Sequence, residues 1–231
     1  RKSFYGFTHS GSKEYQRAAQ RIYSAGDDSW HGSWQLLLPT NLPETQRDDF
    51  RRSLHWLGFR AISNGTFARP GGDEESIRDL LDEFDLSSGV VVMEAKTASL
   101  TTARQWRELV SDHWQLDNLE EEYRQIIGLF RPLKKALDKG KLPTPLEAFQ
   151  ARLLLIHEYR RILLRDTPLP SDLLPNRWQG TVARQLAQAL YRDLAKPSST
   201  YIQNELVNRQ GRLPESEHYF YQRFGGISKD L

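Results

Sequence analysis

The stretch AFQARLLLIHEYRRILLRD, residues 148–166, holds the densest concentration of chemically active side chains in the chain. At about 100° per residue, Gln150, His157, Glu158, Arg161 and Arg165 fall on one polar stripe of a helix. Phe149, Leu153, Ile156, Tyr159, Ile162 and Leu163 cover much of the remaining circumference, and a helix apolar over most of its surface is a buried one. Arg152 and Arg160 lie off the stripe, among Phe149, Ile156, Tyr159 and Leu163. A guanidinium buried there requires a carboxylate or a bound anion. Asp166 or Asp172 would meet that need by an ordinary ion pair. A phosphate or carboxylate ligand would meet it by recognition.

Other constellations are weaker. HEYRR begins like the HExxH zinc signature, but Arg161 stands where the second histidine belongs, and a cation there repels a metal. The histidines at 9, 31, 55, 113, 157 and 218 include no pair at i, i+3 or i+4, so no metal is expected. The Gly-x-Ser-x-Gly elbow of a hydrolase is absent; His9-Ser10-Gly11-Ser12 lacks its spacing. Gly71-Gly72 reads as a turn, without the context of a nucleotide loop. Trp30 and Trp34 bracket a first strand, Trp106 and Trp114 share one helix, and Trp178 follows a proline cluster. Such rings pack cores, and beside arginines they stack on adenine or aryl groups.

The elements that must position these groups follow from periodicity. Ser12–Tyr23 is helical in pattern; Trp34–Pro39 is a strand; a helix runs from Pro43 to about Leu57. Phe59–Ile62 and Thr66–Arg69 flank Asn64-Gly65 as a hairpin, Asp73–Phe84 is amphipathic, and Gly89–Ala95 is the most β-prone stretch. Strand, helix, strand, strand, helix, strand is the ferredoxin-like order. From Thr101 the pattern is helical, at about 102–114, 117–138, 144–165, 179–195 and 198–209, with Asp117 and Thr144 as N-caps and no further strand pattern of any length. Gly211–Leu231, rich in glycine, aromatics and charge, is an ordered strap or a frayed end.

Composition sets outer bounds. The 231 residues contain no cysteine, which excludes disulfides, zinc–thiolate sites and thiol nucleophiles and fits a reducing cytoplasm. No apolar run approaches the ~20 residues of a membrane span. The net charge is only +2, yet residues 73–85 hold seven acids against one arginine, and residues 151–200 hold eight Arg/Lys against four acids. An anionic partner therefore meets the second half. Ser3 to Phe7 reads as a strand without a partner before it, so an upstream domain is expected to be missing from this sequence.

With RKSFYGFTHSG at one end and LLLIHEYRRILLRDTPLPSDLLPNRWQGTVARQLAQALY in the second half, the chain resembles the PaaX family, repressors of phenylacetate catabolism. RIYSAGDDSWHGSWQLLL, HWLGFRAI and the closing YFYQRFGG extend the resemblance over essentially the whole length. It implies three parts: a DNA-binding winged helix-turn-helix, a ferredoxin-like domain similar to Cas2 proteins, and a helical domain. Residues 1–8 match only the last wing strand, where Arg1 and Lys2 would touch phosphate. The expected fold is α+β: residues 1–30 are the end of the wing and a linker helix, 31–100 the Cas2-like domain, and 101–231 the helical domain.

The implied effector is phenylacetyl-CoA, released repression being its consequence, with no other cofactor. Coenzyme A calls for Arg/Lys around its phosphates and apolar walls around adenine and acyl group. The resemblance names no contacts, so the effector site is read from the residues: His157, Arg160, Arg161, Arg165 and Trp178, with Trp30 and Trp34 across a domain cleft. Winged-helix repressors match two half-sites, so a homodimer is expected. Two other classes stay open. An enzyme acting on CoA thioesters lacks any recognisable nucleophile or base here. A Cas2-like nuclease or RNA-binding module would want acids near the first strand, and WQLLLP supplies none.

Overall fold

The computed structural model describes residues 19, 22–23, 30–72, 74–167, 169–208, 211–213 and 215–227. The expected wing strand, Arg1 and Lys2, and most of the Ser12–Tyr23 helix lie outside these residues. The chain divides into two compact units: Asp27–Asn118 with Thr167–Asn176, and Arg1–Gly26 with Leu119–Asp166 and Arg177–Leu231.

The first unit is built on strands β1 (Ser33–Pro39), β2 (Arg60–Ser63), β3 (Thr66–Pro70) and β4 (Val90–Lys96), with helices α1 (Arg47–Trp56) and α2 (Glu74–Glu83). The strand order β2-β3-β1-β4, antiparallel throughout, is the ferredoxin-like sheet expected from the element order. Period-two alternation sends Leu37 and Phe67 to one face, where Phe50 and Leu54 of α1 and Ile77 and Leu80 of α2 close over them. Each such side chain contributes roughly 1.5–3 kcal/mol by leaving water. The Asn64-Gly65 turn works because Gly65 takes φ of +80°, open to glycine and strained for other residues.

The other face carries α3 (Ala103–Trp114). Trp34, 3% exposed, stacks on Trp106 with centroids 4.9 Å apart, and meets Trp30 edge-on at 5.5 Å and Trp114 at 6.3 Å. Thr102 starts α3 with a capping box, and Gln115 ends it in the left-handed conformation at φ 54°. The 171–173 turn packs on α3, burying Leu173, and Arg107 Nε donates to the Asp172 carbonyl at 3.4 Å.

The second unit gathers α4 (Leu116–Asp138, from Leu119 on), α5 (Pro145–Leu163), α6 (Gln179–Asp193) and α7 (Ala195–Glu205). Helix α5 packs against both α6 and α7. Its start is set by Thr144: the side-chain oxygen accepts from Glu147 N at 3.3 Å, and Thr144 N donates to Glu147 Oε2 at 2.8 Å. Ala183 and Ala187, fully buried on α6, let that backbone come close. A short hairpin, β5 (Val207–Asn208) with β6 (Gly211–Arg212), appears where the sequence pattern promised no strand. Two-residue strands are too short to show alternation. The chain then closes with α8 (His218–Tyr221). Among the described residues no helix is long and apolar enough to cross a membrane.

Candidate functional site

Helix α5 presents its two off-stripe arginines differently. Arg152 is 9% exposed and lies on the face of Leu155, Tyr159 and Ile162, as a buried guanidinium should. Arg160 is exposed, a correction to the expectation that it projects among apolar neighbours. The reason is rotational: Arg160 stands seven residues after Leu153, nearly two full turns, and Leu153 is itself 60% exposed. The helix is therefore not apolar and buried all round: Leu153 and Leu154 face outward beside the polar stripe.

The stripe itself is solvent-facing. His157, Arg161 and Arg165 are exposed with Arg160. Arg161 Nη2 pairs with Glu158 at 3.2 Å, and Arg165 pairs with Glu122 of α4. Such exposed pairs contribute about 0–1 kcal/mol. Arg160 makes no ion pair among the described residues. Trp178 is enclosed, 7% exposed, and meets Tyr123 edge-on at 5.9 Å. Trp30 and Trp34 belong to the other unit, where the Trp34 ring is spent on the tryptophan stack. The residues singled out from the sequence thus form one outward cationic face on α5, and the tryptophans are packing elements elsewhere.

Two polar clusters inside the helical unit join residues that the sequence reading did not bring together. In the first, the Tyr123 hydroxyl donates to Asp166 Oδ2 at 2.5 Å. Burial pushes the Tyr123 hydroxyl well above the usual phenol range, and the Asp166 charge and hydrogen bond push it further. Burial likewise raises Tyr159, against the opposing effect of Arg184.

The second cluster surrounds Arg152. Its Nη2 donates to the Tyr191 hydroxyl at 2.9 Å and its Nη1 to Ser198 Oγ at 3.2 Å, while the guanidinium lies 4.4 Å from the Tyr191 ring and 4.8 Å from Phe220. Arg223, half-buried just after α8, sends Nη1 to the same Tyr191 hydroxyl at 2.8 Å. Its guanidinium sits 4.3 Å from the Tyr23 ring and 5.3 Å from Tyr219. Two guanidinium groups are thereby held within two hydrogen-bond lengths of each other, and no carboxylate among the described residues pairs with either. Two unit charges at about 6 Å repel by about 3 kcal/mol at an effective dielectric constant of ~20. Cation–π contacts offset part of this, at ~0.5–2 kcal/mol each. The sequence signal for the cluster was the YFYQRFGG tail, whose aromatics and arginine are here an ordered strap against α5 and α6.

Family comparisons agree with this architecture. Residues 27–107 match the PaaX protein central Cas2-like domain, and residues 114–204 match the PaaX-like protein C-terminal domain. The transcriptional repressor PaaX of Escherichia coli (strain K12) is 34% identical over 99% of this chain and 72% of its own length. An uncharacterized protein, Rv0674 from Mycobacterium tuberculosis, superposes with a TM-score of 0.54 at 21% identity, over 83% of this chain and 72% of that one, which speaks for the fold alone. With both domains matched in order and this chain aligned over nearly all its length to 72% of one relative, it belongs to the PaaX family of transcriptional repressors.

Proposed function

We propose that this protein represses transcription of phenylacetate catabolism and that phenylacetyl-CoA, bound by the portion described here, releases it from operator DNA. The observation that carries the reading is the near-complete alignment with the Escherichia coli repressor. An effector rich in phosphate suits residues 151–200, which hold eight Arg/Lys against four acids. A regulator needs only binding that favours one arrangement over another.

The proposed contacts to the phosphates include the outward face of His157, Arg160, Arg161 and Arg165. Arg160 is the member whose charge is not already offset, so Arg160→Ala tests that face. Loss of a charge-assisted hydrogen bond, about 1.5–3 kcal/mol, weakens phenylacetyl-CoA roughly 10- to 100-fold with folding unchanged. Calorimetry showing equal affinity in the folded variant removes this face from the site.

Thermal unfolding tests the effector itself. Phenylacetyl-CoA at a hundred times its Kd stabilises by about 2.7 kcal/mol, a rise of roughly 5–10 °C for a chain of this size, while phenylacetate alone gives none. Equal shifts with free CoA would mean that the acyl group is not sensed.

A homodimer is the expected assembly, and the β4 edge supports it. Val91, Val92 and Met93 are 46%, 41% and 42% exposed on an edge strand, an unusual apolar surface to leave in water. Antiparallel pairing of two β4 strands about Val92 would set Val91 of one copy opposite Met93 of the other and cover all three apolar side chains. Met93→Lys then yields a monomer by light scattering; a dimer of unchanged stability places the interface elsewhere.

A further inference from the structure

Donors outnumber acceptors around Tyr191. A phenol oxygen accepts two hydrogen bonds and donates one. Both acceptor positions are filled, by Arg152 Nη2 and Arg223 Nη1, and among the described residues the hydroxyl proton has no acceptor. Among the described residues, the buried Arg223 Nε has no hydrogen-bond partner. Unused N–H and O–H groups beside two positive charges, with no carboxylate paired to them among the described residues, are the features of an anion-binding site.

We propose that Arg152, Tyr191 and Arg223 form a binding site for a phosphate group. The donors arrive from three elements, α5, α6 and the segment after α8, and so converge from different directions. A planar carboxylate matches the fork of a single guanidinium, whereas a tetrahedral phosphate offers oxygens to several donors at once. Access lies on the Arg223 side: that guanidinium is only half-buried, and Tyr219 against it is 52% exposed. Phe220 and Tyr191 wall the inner side, keeping water from competing for the ion. A phosphate bound here neutralises two repelling cations and ties α5 and α6 to the tail and to Tyr23 of the N-terminal segment. Which molecule carries the phosphate rests on the effector reading above, a coenzyme A thioester; inorganic pyrophosphate supplies the same group without the carrier.

The test uses the full chain at matched ionic strength, with sodium pyrophosphate, CoA and phenylacetyl-CoA as probes by calorimetry, in wild type, Arg223→Met, Tyr191→Phe and Arg152→Lys. Tenfold or greater loss of pyrophosphate affinity in Arg223→Met, and a smaller loss in Tyr191→Phe, is the expected result. Unchanged affinity in folded variants overturns the site, and if phenylacetyl-CoA still binds them normally the effector reading survives alone. Pyrophosphate binding that the variants abolish, with phenylacetyl-CoA no tighter than pyrophosphate, keeps the site and discards the effector. No binding of any probe by wild type overturns both. Should the variants not fold, trypsin on the wild-type chain decides: pyrophosphate slows cleavage after Arg223 several-fold if it sits there, and an unaltered rate overturns the assignment.

Discussion

At the scale of single residues, position around one helix decides whether an arginine is a surface charge or a buried cation. Arg152 and Arg160 share a helix and a residue type, yet eight steps at about 100° leave them about 80° apart. Sequence periodicity was enough to flag both as unusual and to place Arg152 inside, but the expected ion pair with Asp166 or Asp172 is not what Arg152 makes. It could not identify what Arg152 meets, because Tyr191 and Ser198 come from 39 and 46 residues further along. Tyr123 shows the same limit, its acceptor Asp166 lying 43 residues away. Tyr123→Phe removes that buried hydrogen bond and costs about 1–3 kcal/mol, readable in urea unfolding. The pH dependence has a definite sign. The native hydroxyl keeps its proton above the unfolded value near 10, so its contribution is complete below about pH 10 and is lost as pH climbs through the raised native value. The wild type therefore loses more stability than Tyr123→Phe between about pH 10 and 12; parallel curves would show that Tyr123 is not the group responsible.

At the scale of elements, most of the architecture was legible. Hydrophobic spacing and turn residues located four strands and their two helices within a few positions, because each segment alternates or repeats cleanly against one core. Helix ends were less uniform. Thr144 does cap α5, and Thr144→Ala should lower the melting temperature by roughly 2–4 °C through loss of about 1 kcal/mol. Asp117, expected as a cap, lies instead in the first turn of α4, since Gln115 turns left-handed and lets α4 start at Leu116. Arg69 illustrates tertiary information that spacing cannot carry. Buried beside Phe59, it donates to Gln35 Oε1 at 2.7 Å, the Leu57 carbonyl at 3.0 Å and Ser76 Oγ at 3.1 Å. Gly72 crosses so close that an added Cβ would fall 2.5 Å from the Arg69 Cζ, at a φ of +117°. Gly72→Ala accordingly costs about 2–4 kcal/mol by strain and by displacing that guanidinium, measurable by denaturant unfolding.

At the scale of the whole molecule, the chain does not visit its two units once each. It leaves the sheet unit after Asn118, builds α5, and returns with Thr167–Asn176 to bury Leu173 and set the Thr167 methyl against Gly58. Linear patterning assigns that stretch to a loop, since ten residues held by packing alone show no period. A ribosome delivering roughly 5–20 residues per second completes this closing piece about 3 to 12 s after Asn118. For that interval a nascent sheet unit emerges with one wall open, a natural station for a chaperone and a poor place to pause translation.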